Sequence, residues 1–233
     1  MAVGLRIYTK RGELPSKELI EKYKNIQAAN VADCMGRSCA MSSEIKLMSK
    51  PQKECMVGVA LTVKARPGDN LFIHKALNMA VEGDVVIVAN EGDRSHSLLG
   101  EIMAQYAKSK NIAGMIIDGP IRDVVPIYDM GLPMYATGST PGGPYKEGPG
   151  EINVPISCGG VVICPGDLII GDPDGVIVVP KKDAEALLVK AIAFSEQDDA
   201  KLLAAKEGRA DRAKFDKEII ARGTEIIEES YTI

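Results

Sequence analysis

Apolar and polar positions alternate along this chain with a period that changes from segment to segment, and each change marks an element. Behind Ser16, a residue suited to cap a helix N-terminus, Leu19, Ile20 and Tyr23 recur on one face, which predicts a helix within residues 16–29. A second short helix is expected over residues 31–35, ending at Gly36. Residues 39–54, with Lys46, Lys50 and Lys53, have no sustained period and read as a polar surface segment. The run MVGVALTVKA at 56–65 alternates and is rich in valine, a strand pattern. Arg66-Pro67-Gly68-Asp69 turns the chain into an amphipathic helix over 70–80, and Gly83-Asp84 turns it again into VVIVA, a buried strand.

The segment from Asn90 to Asp123 combines most of these signals. A loop bearing Gly92 and Gly100 leads into a helix from about Glu101, with Ile102, Met103, Tyr106 and Ala107 at helical spacing. The apolar run at 113–118 predicts a buried strand, which Gly119-Pro120 is expected to break before Arg122 and Asp123. A helical turn over 124–127 and a strand over 132–136 follow. Residues 138–151 hold five glycines and three prolines without a phosphate-loop signature, so they read either as a wall beside a neighbouring subunit's site or as a spacer. Residues 152–180 predict at least three strands joined by tight turns, with Asp172 and Asp174 as turn formers. From Lys181 the composition turns to Ala, Glu, Lys, Asp and Leu, predicting helices punctuated by Gly208 and Gly223. So polar a helix is expected to pack poorly on its own core and to reach toward another subunit. Pattern alone predicts an α/β protein.

Composition narrows the partners. A formal charge of −4 offers no general attraction to nucleic acid or anionic membranes. No apolar run is long enough to span a bilayer and residues 1–14 have no secretory h-region, so a cytoplasmic, soluble protein is expected. Cysteines 34, 39, 55, 158 and 164 lack metal-finger spacing and read as reduced thiols.

The chemistry collects at residues 100–123. The first turn of the helix offers free N–H groups at Ile102 and Met103 for a carboxylate, and Arg122 supplies a permanently charged fork. Asp123 and Glu101 are hard oxygen donors suited to Mg²⁺ or Mn²⁺. Lys75, Lys108 and Lys110 fall on helix faces, so none is placed for a Schiff base.

Glu101, twenty intervening residues, then Arg122-Asp123 resembles the acidic-x20-Arg-Asp pattern of the class II pyruvate aldolases, of which 4-hydroxy-4-methyl-2-oxoglutarate/4-carboxy-4-hydroxy-2-oxoadipate aldolase is the type, and of the related regulator of ribonuclease activity A. The segments NVADCMGR (30–37), GDNLFIHKAL (68–77), GDVVIVAN (83–90) and GDLIIGDPDGVIVVP (166–180) carry the resemblance further. It implies a layered ββα swivelling-domain fold over residues 1–182, with a helical extension over 183–233 that packs on a neighbouring subunit of a homotrimer or homohexamer. The implied activity is divalent-metal-dependent cleavage of a 4-hydroxy-2-oxo di- or tricarboxylic acid to pyruvate, with oxaloacetate decarboxylation on the side.

In that scheme Asp123 holds the metal, and Glu101 acts through water. Glu196 of a neighbouring subunit does the same, with Asp198 and Asp199 close to it in sequence. Gly100, Ile102, Met103 and Arg122 bind the 2-oxo acid, and Asn70 and His74 line its pocket. Glutamate at 101 replaces the type enzyme's aspartate. The alternatives are a regulator-like binding protein without catalysis and a member acting on another 2-oxo acid.

Overall fold

The protein is described by a computed structural model over residues 3–52 and 55–231; Lys53 of the expected surface segment lies outside the described residues. The strands are β1 (Leu5–Ile7), β2 (Lys46–Leu47), β3 (Met56–Ala65), β4 (Asp84–Ala89), β5 (Gly114–Ile121), β6 (Met134–Ser139), β7 (Gly150–Ile152), β8 (Ile156–Cys158), β9 (Val161–Ile163), β10 (Leu168–Asp172) and β11 (Gly175–Val179). The helices are α1 (Lys17–Tyr23), α2 (Ala28–Cys34), α3 (Leu71–Met79), α4 (Glu101–Ser109), α5 (Val124–Asp129), α6 (Ala184–Lys206) and α7 (Ala213–Ala221).

Strands β3, β4, β5 and β6 run parallel and adjacent, linked by α3, α4 and α5. Because side chains alternate along a strand, each strand feeds two cores. Leu61 and Val63, Val86 and Val88, and Met115 and Ile117 face Ile73, Leu77, Met103 and Ala107 of the helices. Ala60, Val85, Ile87 and Ile116 face the opposite way and meet Ile156, Ile163, Ile169 and Val178 of a second β layer. That layer is the β8–β9 hairpin together with the β10–β11 hairpin, whose β10 also pairs antiparallel with β3. The expected layered ββα arrangement is therefore present. The outer face of β10–β11 (Leu168, Ile170, Ile177, Val179) packs on α1, α2 and the start of α6.

Ser16 caps α1 as expected, accepting the Leu19 N–H at 3.1 Å. Four expectations need correction. Residues 39–49 are not a surface excursion: Cys39, Met41 and Ile45 are buried, and Lys46–Leu47 pairs with β6. The first helix ends at Tyr23, and the second already begins at Ala28, where Asp172 Oδ2 accepts the backbone N–H at 3.0 Å. Gly119-Pro120 does not break β5, which shifts register after Ile117 and resumes pairing with β6 at Pro120.

The fourth concerns α6. Despite its polar composition, its opening turns pack on this chain's own core through Ala184, Leu187, Leu188 and Ala191. The chain forms two compact units, Met1–Ile192 and Ala193–Ile233. In the second unit α7 buries none of its residues, and Phe215, Ile219 and Ile220 are exposed.

Candidate active site

Gly100 and Asp123 meet where β5 ends and α4 begins. The Leu98 N–H donates to the Pro120 carbonyl and the Arg122 N–H to the Leu99 carbonyl, both at 3.0 Å, so residues 98–100 run alongside 120–122. This pairing carries Arg122-Asp123 to the first turn of α4. Asp123 adopts the left-handed conformation at φ 57°, where Asp is among the few residues with a tolerable cost. In that conformation its Oδ2 accepts the Glu101 backbone N–H at 3.0 Å and lies 3.8 Å from Arg122 Nε. A Cβ on residue 100 would overlap Asp123 Oδ2 and come within 3.1 Å of Arg122 Cγ, so only glycine permits this approach.

The N–H groups of Ile102 and Met103 have no acceptor among the described residues, as the first turn of a helix requires unless something outside it caps them. The Ile102 side chain is 85% exposed, whereas Met103 is buried. Arg122 and Asp123 are each about half exposed, with 47% and 44% of their side chains accessible. The cluster thus presents a guanidinium, two carboxylates and two open amides at one surface.

The resemblance also named Asn70 and His74, on α3. Asn70 is buried, donates Nδ2 to the Leu98 carbonyl at 3.0 Å, and so braces the segment entering α4; its Oδ1 has no donor among the described residues. His74 is partly buried, and desolvation, with help from nearby Lys146, holds its pKa below the ordinary histidine value. Glu196 is an exposed residue of α6 within the second unit.

The glycine- and proline-rich segment is neither a spacer nor remote from this chain's own cluster. Ser97 donates both its N–H (2.8 Å) and its Oγ (2.6 Å) to the Gly142 carbonyl, and a Cβ on Gly143 would sit 3.5 Å from Arg122 Nη1. Tyr145 continues that wall, its ring 5.0 Å from the His96 ring. His96 is partly buried, and its backbone N–H and Nδ1 each lie 3.1 Å from Asp93 Oδ2. Burial works to raise the Asp93 carboxyl, but the hydrogen bonds from His96 and Ser95 hold it below its usual range. Sequence reading offered this segment as a wall only for a neighbouring subunit's site, because the contacts that bring it to this chain's own cluster join loops dozens of residues apart; the one local signal was the Asp-x-x-His spacing.

Among the described residues no three His, Cys, Asp or Glu side chains converge. Glu101 and Asp123 fit a hard divalent ion that keeps most of its waters, not a metal held by three or four nitrogen or sulfur ligands.

The family model RraA-like (Aldolase/RraA) matches residues 28–178, well over half of the sequence. The chain belongs to the Aldolase/RraA family. A relative from Halalkalibacterium halodurans, named "Putative 4-hydroxy-4-methyl-2-oxoglutarate aldolase", is 38% identical over 184 residues, covering 79% of this chain and 87% of the relative. Among solved structures, an unusual member of the RNase ES inhibitor RraA protein family from Streptomyces coelicolor superposes with a TM-score of 0.72 at 27% identity, covering 80% of this chain and 96% of that one. The RNA-processing inhibitor RraA of Thermus thermophilis gives a TM-score of 0.61 at 27% identity, over 66% of this chain and 93% of its own. Aldolase/RraA membership accords with the ββα layers.

Lys108 and Lys110 of this family member are both engaged. Lys108 Nζ donates to the Met130 carbonyl at 2.7 Å, and Lys110 Nζ to the Leu77 and Asn78 carbonyls at 2.9 and 2.8 Å. All five cysteines are free thiols, and burial pushes Cys55 up to about 11. Among the described residues no helix is long and apolar enough to cross a membrane.

Proposed function

We propose that this family member cleaves a 4-hydroxy-2-oxo di- or tricarboxylic acid to pyruvate with Mg²⁺ or Mn²⁺, and decarboxylates oxaloacetate at the same site. The observation that carries this reading is the convergence of Glu101, Arg122 and Asp123 on the open N-terminus of α4, permitted by Gly100. The relative named as an aldolase supports the same reaction class.

In this reading the 2-oxo acid lays its carboxylate on the N–H groups of Ile102 and Met103, where the helix dipole also favours an anion. Cleavage breaks the bond between C3 and C4. Its electron pair forms the enolate of pyruvate, which becomes pyruvate on taking a proton at C3, and the 4-hydroxyl becomes a carbonyl as it loses its proton. Arg122 donates to the enolate oxygen, where one well-aimed donor is commonly worth ~3–4 kcal/mol of barrier. Oxaloacetate decarboxylation passes through the same enolate and draws on the same guanidinium. Asp123 would hold the divalent ion directly, and its bond from the Glu101 N–H fixes the carboxylate for that task. When bound, the ion supplies Lewis-acid polarisation of the 2-oxo group.

Glu101 would act through an intervening water, and its solvent-accessible carboxylate is the group assigned to receive the 4-hydroxyl proton. Glu196 of a neighbouring subunit would join the same water network in a homotrimer or homohexamer. Asn70 and His74 would support the pocket wall, Asn70 through the Leu98 carbonyl.

A second reading is a binding protein without catalysis, favoured by two solved relatives, one named as an RNA-processing inhibitor and one as an unusual member of an RNase ES inhibitor family. A lactate-dehydrogenase-coupled assay over a panel of 4-hydroxy-2-oxo acids, with and without Mg²⁺ or Mn²⁺, separates the two. Metal-dependent pyruvate release supports the aldolase. Its absence across the panel leaves the binding reading.

A further inference from the structure

The Arg122 side chain lies between two bare stretches of backbone. A Cβ on Gly100 would come within 3.1 Å of its Cγ and Nε, and a Cβ on Gly143 would sit 3.5 Å from its Nη1. The guanidinium therefore reaches from the first turn of α4, at its inner end, to the Gly142–Tyr145 wall, at its outer end. Among the described residues no acceptor hydrogen-bonds it, and the carboxylate it pairs with, Asp123, stands 3.8 Å from Nε.

The two glycines are there for different reasons. At 100 a Cβ would overlap Asp123 Oδ2, so the approach of two loops requires glycine. At 143 the backbone is not left-handed, and Arg122 Nη1 is the single heavy atom that a Cβ would meet within 4 Å, at an ordinary contact distance. Neither conformation nor crowding demands glycine at this exposed position. What the missing side chain does is leave the outer end of the arginine fork open.

The wall that carries Gly143 is fastened on both sides of it. The Thr140 N–H donates to the Ile121 carbonyl at 3.0 Å, and Ser97 holds the Gly142 carbonyl with its two bonds. The Tyr145 N–H donates to the Gly68 carbonyl at 2.8 Å, and the Tyr145 carbonyl accepts the Asn70 N–H at 3.0 Å. Just beyond, Oδ2 of the buried Asp69 accepts the N–H groups of Glu147 and Gly148 at 2.7 and 2.8 Å. Pro141 and Pro144 fix φ on either side of the glycine pair. A wall so held cannot retreat, so any side chain at 143 subtracts directly from the space beside Nη1.

We propose that Gly143 is a specificity-determining residue, whose missing side chain admits the part of the substrate beyond C3. The inference rests on the aldolase reading: the pyruvyl half takes the α4 end of Arg122, and the half that leaves as a carbonyl product takes the Gly143 end. Oxaloacetate has only a carboxylate beyond C3 and needs little of that space. A 4-hydroxy-2-oxo dicarboxylic acid carries further carbons and fills it.

Steady-state pyruvate release by wild type, Gly143→Ala and Gly143→Val tests this, with Mn²⁺ present and with 4-hydroxy-4-methyl-2-oxoglutarate and oxaloacetate as the two substrates. A methyl-sized change in a fitted pocket commonly discriminates by about 10–200-fold. The kcat/KM for cleavage, divided by that for decarboxylation, should therefore fall from wild type to alanine to valine, by about tenfold or more at valine and chiefly through KM. Melting curves should stay close to that of wild type, because residue 143 is exposed. The inference is overturned if the ratio is the same in all three proteins, if it rises, or if both reactions fall together, which would make residue 143 a support for Arg122 alone. Wild type active on only one of the two substrates would overturn it too, since both must share the guanidinium. No pyruvate from wild type with either substrate would overturn the aldolase reading and this inference with it, whereas an active wild type with an unchanged ratio overturns this inference alone.

Discussion

Asp123 Oδ2 accepts the backbone N–H of Glu101 at 3.0 Å, so the carboxylate that closes the β5–α5 turn also caps the first turn of α4. One bond therefore sets the relative position of the two acids and of the amides that follow.

Gly100 is the residue that allows this approach. Gly100→Ala should drive Asp123 and Arg122 out of position and lower kcat by roughly a hundredfold, the usual cost of a displacement near 1 Å. Thermal unfolding should change little, because the clash falls on exposed side-chain ends. Steady-state pyruvate release and a melting curve measured on the same preparation check both halves.

Arg122→Lys keeps the charge and loses the planar fork. On the proposed mechanism kcat should fall by about 10²–10³-fold, with aldol cleavage and oxaloacetate decarboxylation falling together. A variant that decarboxylates normally while failing to cleave would restrict Arg122 to holding the substrate.

Much of the fold was legible in the sequence. β3 runs over residues 56–65 as its valine alternation predicted, and α4 begins at Glu101 as its stripe predicted. Residues 39–49 were not legible, because Met41 and Ile45 are single apolar residues among polar ones and bury through tertiary contacts that no local period reports. β5 continues through Gly119-Pro120 because β4 pairs only as far as Ile117, so the Pro120 nitrogen faces no strand that needs its missing N–H. In α6 the small residues Ala184 and Ala191 fill the face beside Leu187 and Leu188, a stripe that the surrounding charges obscure. The residues of the cluster were readable from their spacing and the family resemblance. The need for glycine at 100, and the Ser97–Gly142 wall, became visible only in three dimensions.

The Arg11–Asp84 pair holds the N-terminal segment to the foot of β4, with side chains only 11% and 3% exposed. Arg11→Ala strands a buried carboxylate and should cost about 3–5 kcal/mol. At a few degrees per kcal/mol for a protein of this size, the melting temperature should fall by roughly 10 °C. A decrease of a degree or less would mean that water already serves Asp84.

His74 gives a pH dependence. Desolvation lowers its folded pKa below the ordinary histidine value, so the unfolded chain binds the proton more readily. The corresponding stability is present above the unfolded pKa and is lost as the pH falls through the folded one. Melting curves from pH 8 down to pH 5 should therefore show a steeper acid loss for wild type than for His74→Gln. Parallel slopes would remove the desolvation of His74 from the account.

The central claim is that Asp123 organises a metal-dependent, pyruvate-forming site. Its most direct test is pyruvate release by Asp123→Ala beside wild type, at saturating Mn²⁺ and with circular dichroism confirming the fold. The account predicts that the variant is folded and inactive and that wild type loses its activity to excess chelator. Full activity in folded Asp123→Ala, or in chelator-treated wild type, would contradict it.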